Sequence, residues 1–482
     1  MWTMAVTSPN RGALLLASSL YCLAACGARA PTASTSRAVP SAGAVGNAAA
    51  GASASGTANR EDAGSADSGG TSGGRSDLDG GSPASAGTSA GGTSSEGGSD
   101  SIGDAGGASF GGASAACGAG PALTGLPEPE AVLASLRLAN EHLLQAWPDP
   151  SVDIVIERAR PSNLWTRSVY FEGLMALYAI EPDAARKAGY YDYAVRWGAS
   201  PSHPWQLAYG GTSTRSADNQ CCGQTYLDLA QIEPDPVRTR DIKADIDKMV
   251  ASSSSGDWTW VDAIQMAMPV FAKLGVATNS SSYFEKMHAL YANAKTVQGF
   301  YDTAHHLWWR DATFKPPFTT PNGKPCYWSR GNGWVLAALT RVLDITPSSE
   351  AYRAEYVADF TAMATALQPI QRSDGFWNVS LADPDDHGGP ELTGTALFAY
   401  GLAWGIRVGL LDANEYGPTV SRAWCAMASA VHENGALGYA QGTGSKPADH
   451  QPVTFDSVPD DIGFPLGCFL LAGSEVWKLA AR

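Results

Sequence analysis

An all-α fold, six helical hairpins closed into an (α/α)6 barrel (toroid) behind a disordered N-terminal tether, is predicted by three observations. Apolar residues recur at helical spacing throughout the chain after residue 120, two-residue strand alternation is scarce, and Gly, Pro and Asp punctuate the stripes. In Pro129 to Trp147, the residues Leu133, Leu136, Asn140, Leu143 and Trp147 share one face, and Val261, Ile264, Met268, Phe271 and Leu274 repeat the pattern. Further stripes run from Trp165 to Tyr178, Tyr283 to Tyr291, Trp334 to Leu343, Tyr356 to Leu367, Leu397 to Trp404 and Ala423 to Val431. Breaks fall at Glu181-Pro182-Asp183, Asn322-Gly323 and Ser373-Asp374-Gly375. About 360 residues shared among six hairpins gives roughly sixty each, within ordinary helix-connection lengths. An open solenoid would leave a repeat of fixed period, and none is present.

The N-terminal part obeys different physics. Residues 1–26 read as a lipoprotein-type signal: Arg11 precedes the apolar run Ala13 to Leu23, too short to span a bilayer. Leu23-Ala24-Ala25-Cys26 resembles a bacterial lipobox, so Cys26 is the expected lipidation site. Gly27 follows it rather than Asp, and an exported lipoprotein at the outer membrane or cell surface is expected. Residues 27–120 are rich in Gly, Ala and Ser and cannot bury enough apolar surface to offset the entropy of ordering them. As a flexible tether of ~90 residues they would reach roughly 50 Å.

Residues 121–482 hold nearly all of the 15 Trp, 17 Tyr and 13 Phe and form the folded domain. The net charge of −15, with no run of Lys and Arg, argues against nucleic acid as a partner. Of eight cysteines, Cys22 and Cys26 fall in the signal, and Cys117, Cys221, Cys222, Cys326, Cys425 and Cys468 are too scattered for a disulfide scaffold. No CxxC or HExxH pattern suggests a metal.

Aromatics packed around acids point to carbohydrate chemistry. Asp262 opens a helix within Trp258-Thr259-Trp260-Val261-Asp262, where an acid can be a simple first-turn residue favoured by the helix dipole. Its apolar neighbours Trp258, Trp260 and Met266 would instead raise its pKa, as a proton donor at neutral pH requires. Asp218 precedes it by one helical repeat, which in a ring of hairpins places both acids on adjacent inner helices facing one funnel. Trp328 and Arg330 precede a Gly-flanked turn; the guanidinium could fork onto a sugar carboxylate or pair with a neighbouring acid. Arg310, after Trp308-Trp309, is a weaker candidate of the same kind. Trp260, Trp328 and Trp377 are expected to line the funnel, and Thr393 with nearby free N–H groups could bind a polar group. The adjacent His305 and His306 read as solvated or packed histidines.

In order along the chain, ADNQCCGQTYLDL, WTWVDAIQMAMPVFAKLG, YWSRGNGWVLAALTRVL, DGFWNVSLADPD, ELTGTALFAYGLAWGI and FLLAGSEV resemble glycoside hydrolase family 105, the unsaturated rhamnogalacturonyl hydrolases. The glucuronyl hydrolases of family 88 are similar at greater distance. The resemblance implies an (α/α)6 barrel without metal or organic cofactor, with Asp262 as general acid and base, Asp218 beside it, and Trp328 and Arg330 near the uronate. It implies release of a 4,5-unsaturated uronic acid from oligosaccharides made by polysaccharide lyases, rhamnogalacturonan or pectin type first, by protonation and hydration of the C4=C5 double bond. Separately, a monomer attached to the membrane through the lipid alone is expected. One departure stands out: relatives carry a His after the aromatic pair of a helix that here reads Leu307-Trp308-Trp309, where this chain has Arg310. The alternatives are an inverting glycosidase on a saturated glycoside and a tethered, non-catalytic sugar-binding lipoprotein.

Overall fold

Three of the outer helices begin where a short acid caps them. Asp183 accepts a hydrogen bond from the Arg186 N–H at 2.8 Å, Asp235 from Val237 at 3.0 Å and Asp412 from Asn414 at 2.7 Å. Asn279 ends another helix in the left-handed conformation, φ 51°. The computed structural model describes residues 125–482 except 157, 211–214 and 460–462; the expected signal, the Gly/Ala/Ser-rich segment and Cys26 lie outside the described residues.

Outer and inner helices alternate. α1 (Pro129–Ala146) is outer, α2 (Trp165–Ile180) inner and α3 (Ala184–Gly198) outer. The next inner position holds a short α4 (Ala217–Gln220) that runs through Cys221 and Cys222 into α5 (Gly223–Ile232). Then follow α6 (Pro236–Ala251) outer, α7 (Asp262–Thr278) inner, α8 (Ser281–Ala292) outer and α9 (Ser329–Ile345) inner. α10 (Arg353–Leu367) outer, α11 (Leu392–Arg407) inner, α12 (Ala413–Ser429) outer and α13 (Gly463–Ala480) inner complete the set. The inner helices pack in a closed ring, α2 on α5, α5 on α7, α7 on α9, α9 on α11, α11 on α13 and α13 back on α2. α13 also packs on α1, so the first and last helices supply the sixth pair. The expected (α/α)6 toroid is thus borne out.

Burial separates the two rings. Every residue from Ser329 to Leu343 of α9 is buried, and so is every residue from Leu392 to Ile406 of α11. α10 buries a single stripe, Tyr356, Asp359, Phe360, Met363, Ala364 and Leu367. Inner helices can approach closely because of small residues: a Cβ at Gly173 of α2 would lie 2.5 Å from the Gly467 carbonyl oxygen of α13. The outer helices α3 and α6 carry many charged residues; their buried stripes, Tyr190, Tyr193, Ala194 and Trp197 in α3 and Ile242, Ile246 and Met249 in α6, were not singled out in the sequence.

Three two-stranded antiparallel hairpins decorate the connections: β1 (Ile154–Ile156) with β2 (Arg158–Arg160), β3 (Tyr301–Asp302) with β4 (Leu307–Trp308), and β5 (Trp377–Asn378) with β6 (Pro390–Glu391). β4 corrects the reading of Leu307-Trp308-Trp309 as helical. His306 takes a left-handed φ of 57° and reverses the chain, so that Leu307 pairs with Asp302 and Trp308 with Tyr301. Cys425 is disulfide-bonded, whereas Cys221, Cys222, Cys326 and Cys468 are buried free thiols.

Candidate active site

Alternation of inner and outer helices makes the six inner helices run in one direction, so their N-terminal turns share one mouth. Their C-terminal halves meet at the far end, where Met175, Lys273, Arg341, Tyr400 and Leu471 line a cavity of about 340 Å³. Asp218 stands in the first turn of α4 and Asp262 is the first residue of α7, and these helices are in contact. The expected pair of acids on adjacent inner helices is therefore formed.

A stretch of paired backbone brings a cation onto this pair. Trp260 bridges to Asp311, and the Val261 N–H donates to the Arg310 carbonyl at 2.9 Å. Arg310 then donates from Nε to Asp262 Oδ2 at 3.1 Å and from Nη1 to Asp311 Oδ2 at 2.8 Å. Its side chain remains 24% exposed, against 11% for Asp262, so both face the opening. Trp260 is half-buried beside them, whereas Trp258 is fully enclosed.

Asp218 is partly open to the cleft but hemmed in by protein. Burial pushes its carboxyl up to about 7, and the negative charge of Asp262 adds to the rise, while Arg310 and Arg160 act against it. Near neutral pH the Asp218 carboxyl is therefore still partly protonated. The folded state then binds a proton that the unfolded chain, with Asp at 3.8, does not hold between pH ~4 and ~7. This contribution is therefore greatest at low pH and declines as pH rises to ~7. Asp218→Asn should raise stability at pH 8 more than at pH 4. Three pH units correspond to at most about 4 kcal/mol, and solvent in the cleft reduces this to roughly 1–2 kcal/mol. Thermal unfolding at both pH values checks it; a change independent of pH would contradict the shift.

Below the acids lies a carboxyl that periodicity had hidden. Glu172 of α2 accepts from Gln265 Nε2 at 2.8 Å and from Cys221 Sγ at 3.3 Å, and burial raises it to about 7. Gln265 is one turn below Asp262 and Cys221 one turn below Asp218, so Glu172 links the two acid-bearing helices. Its signal in the sequence was a lone acid within Val169-Tyr170-Phe171-Glu172-Gly173-Leu174.

Several expected ligand residues are placed elsewhere. Arg330 is fully buried, donating from Nη1 to the Gln441 carbonyl and from Nη2 to the Gly442 carbonyl, each at 2.8 Å. Its guanidinium carbon lies 4.5 Å from the Trp328 ring and 4.9 Å from the Phe464 ring. Trp328, 1% exposed, donates its indole N–H to Gln441 Oε1 at 2.8 Å. These two side chains form an internal clasp on the segment around Gln441, which corrects the expectation that they grip a sugar. Trp377 is also fully buried, with its indole N–H on the Leu367 carbonyl at 2.9 Å, and offers no ring face to the funnel. Thr393 is enclosed, and the N–H groups expected to be free there are capped: Glu391 accepts from the N–H of Thr393 at 2.9 Å and of Gly394 at 2.6 Å. His305 and His306 are exposed, as expected, with His305 Nδ1 2.9 Å from Asp302 Oδ2.

A family model described as Glycosyl Hydrolase Family 88 matches residues 142–480. An unsaturated 3S-rhamnoglycuronyl hydrolase of Formosa agariphila is 39% identical over 242 residues, 49% of this chain and 62% of that protein. A protein of the same name from Alteromonas sp. (strain LOR) is 29% identical over 289 residues, 54% of this chain and 67% of its own length. The chain therefore spans less than two thirds of the Formosa relative it matches. Among solved structures, a glycosyl hydrolase family 88 protein from Bacteroides vulgatus shares the fold with a TM-score of 0.66 and 32% identity, over 73% of this chain and 99% of that one. The resemblance to the unsaturated-uronate hydrolases drawn from the ordered motifs is borne out, and the chain belongs to glycosyl hydrolase family 88.

Proposed function

We propose that this protein releases a 4,5-unsaturated uronic acid from the non-reducing end of oligosaccharides. The observation that carries the reading is the Asp218 and Asp262 pair at the common mouth of the inner helices, with the Asp218 carboxyl pushed up to about 7 by burial and by the charge of Asp262. Asp262 delivers a proton to C4 of the C4=C5 vinyl ether, and positive charge develops at C5, where the ring oxygen stabilises it. Water adds to C5 and gives its proton to Asp262, restoring the acid. The hemiketal so formed opens, C1 becomes a hemiacetal carbon, and the aglycone sugar departs. Asp218 stands beside Asp262 as a second carboxyl, raised by burial, and Arg310 orients Asp262 through its 3.1 Å hydrogen bond.

The names of the two curated relatives make an unsaturated rhamnoglycuronyl unit the first substrate to test, beside the rhamnogalacturonan type. The experiment follows loss of the ultraviolet absorbance of the conjugated double bond on a panel of unsaturated uronic-acid disaccharides. Loss of absorbance with release of the aglycone supports the reading. No loss across the panel would sink it in favour of a saturated glycosidase or a sugar-binding protein.

We further propose that the protein is an exported lipoprotein acylated at Cys26 and acting as a monomer. The support is the lipobox-like Leu23-Ala24-Ala25-Cys26 and the Gly/Ala/Ser-rich stretch that follows it. Metabolic labelling with a fatty acid should mark the wild type and not Cys26→Ala; label persisting in that variant would refute the assignment.

A further inference from the structure

Burying a guanidinium is unfavourable unless hydrogen bonds or an anion replace the lost water. Four other arginines of the barrel obey this rule. Arg238 donates to Glu233 and to the Leu229 carbonyl, Arg341 to Gln224, Arg330 to two carbonyls and Arg310 to two acids. Arg160 departs from it. The residue is 9% exposed, and its Nε is fully enclosed without a partner. No hydrogen bond or ion pair joins its side chain to any of the described residues.

Its place in the fold is specific. Arg160 ends β2, held in register opposite Ile154 of β1, and the chain enters the first inner helix at Trp165. It therefore sits at the mouth onto which Asp218 and Asp262 open. Its charge reaches Asp218, where it acts with Arg310 against the effect of burial, yet it makes no ion pair with that carboxyl. A desolvated, unpaired cation beside the acid pair is a site for a substrate anion.

We propose that Arg160 is a substrate-binding residue that pairs with the carboxylate of the unsaturated uronate. This rests on the proposed function. The carboxylate is attached to C5, the atom next to the C4 that Asp262 protonates, so whatever holds it must stand within a few ångströms of the acid pair. A guanidinium fork matches a carboxylate with two parallel hydrogen bonds. The arginine expected in this role, Arg330, has both terminal nitrogens on backbone carbonyls. A sulfate ester is the other compact oxyanion such a fork would accept, and the test separates the two.

The full-length wild type, Arg160→Gln and Arg160→Lys are assayed on an unsaturated uronate disaccharide, on its methyl ester, and on a sulfated and desulfated pair. Wild type should favour the free acid over the ester by about 10- to 100-fold in kcat/KM, as expected for a charge-assisted hydrogen bond. Arg160→Gln should bring that ratio near one, chiefly by raising KM for the acid, and Arg160→Lys should fall between. The midpoint of thermal unfolding should hold or rise in Arg160→Gln, because an unpartnered side chain has no hydrogen bonds to lose. An unchanged acid-to-ester ratio overturns the assignment, as does failure of Arg160→Gln to fold. Loss of discrimination between the sulfated and desulfated sugars instead would identify the sulfate as the bound anion and also overturn it. A wild type inactive on every unsaturated sugar would refute the functional reading, and this inference with it.

Discussion

Asp262→Asn is expected to lower kcat on an unsaturated uronate by about 100- to 10,000-fold, the range for removal of a general acid. Asn fills nearly the same volume at the first position of α7, so the helix and its packing against α5 and α9 should persist. Arg310 exchanges a carboxylate acceptor at position 262 for a neutral amide oxygen and keeps Asp311 at 2.8 Å, which limits the local cost. The effect should therefore fall on turnover with little change in thermal stability. A variant that keeps wild-type kcat would remove Asp262 from the chemistry, and one that loses activity only because it unfolds would leave the role without support. Measuring kcat and the unfolding midpoint on the same preparation separates these results.

Arg330→Ala is expected to destabilise the domain by about 3–5 kcal/mol, the cost of taking one partner from a buried charged network. The change would strip hydrogen bonds from the carbonyls of Gln441 and Gly442 and leave a void between Trp328 and Phe464. Urea unfolding gives the loss directly. Any rise in KM should follow from loosening of the segment around Gln441 rather than from a missing carboxylate contact. Wild-type stability with a selectively raised KM would return Arg330 to the uronate-binding role that its motif suggested.

These two residues show why parts of the site were legible and others were not. Asp262 was readable because its position is local: an acid preceding an apolar stripe must open the helix, and the hairpin spacing to Asp218 then places both at one mouth. Arg330 and Trp328 were found as a pair, and the pair does form, but with each other and the protein's own backbone instead of a sugar. Trp377 misled for the same reason. An aromatic after a turn has the same sequence signature whether its ring faces a cleft or, as here, packs against Phe398 in the core. Arg160 gave no signal, because nothing in Arg158-Ala159-Arg160-Pro161 tells which side chain will be enclosed.

What the sequence by itself determined is what periodicity and short-range capping can express: a ring of alternating helices, acids at the starts of two inner ones, and the order of motifs that marks the family. Tertiary structure alone decided which cations are tied up by the chain's own groups. The partners that occupy Arg330 lie 111 and 112 residues further along the chain, and among the described residues no such partner reaches Arg160. A guanidinium is satisfied by whatever the fold brings within about 3 Å of it, and that distance is not written in its neighbours along the chain.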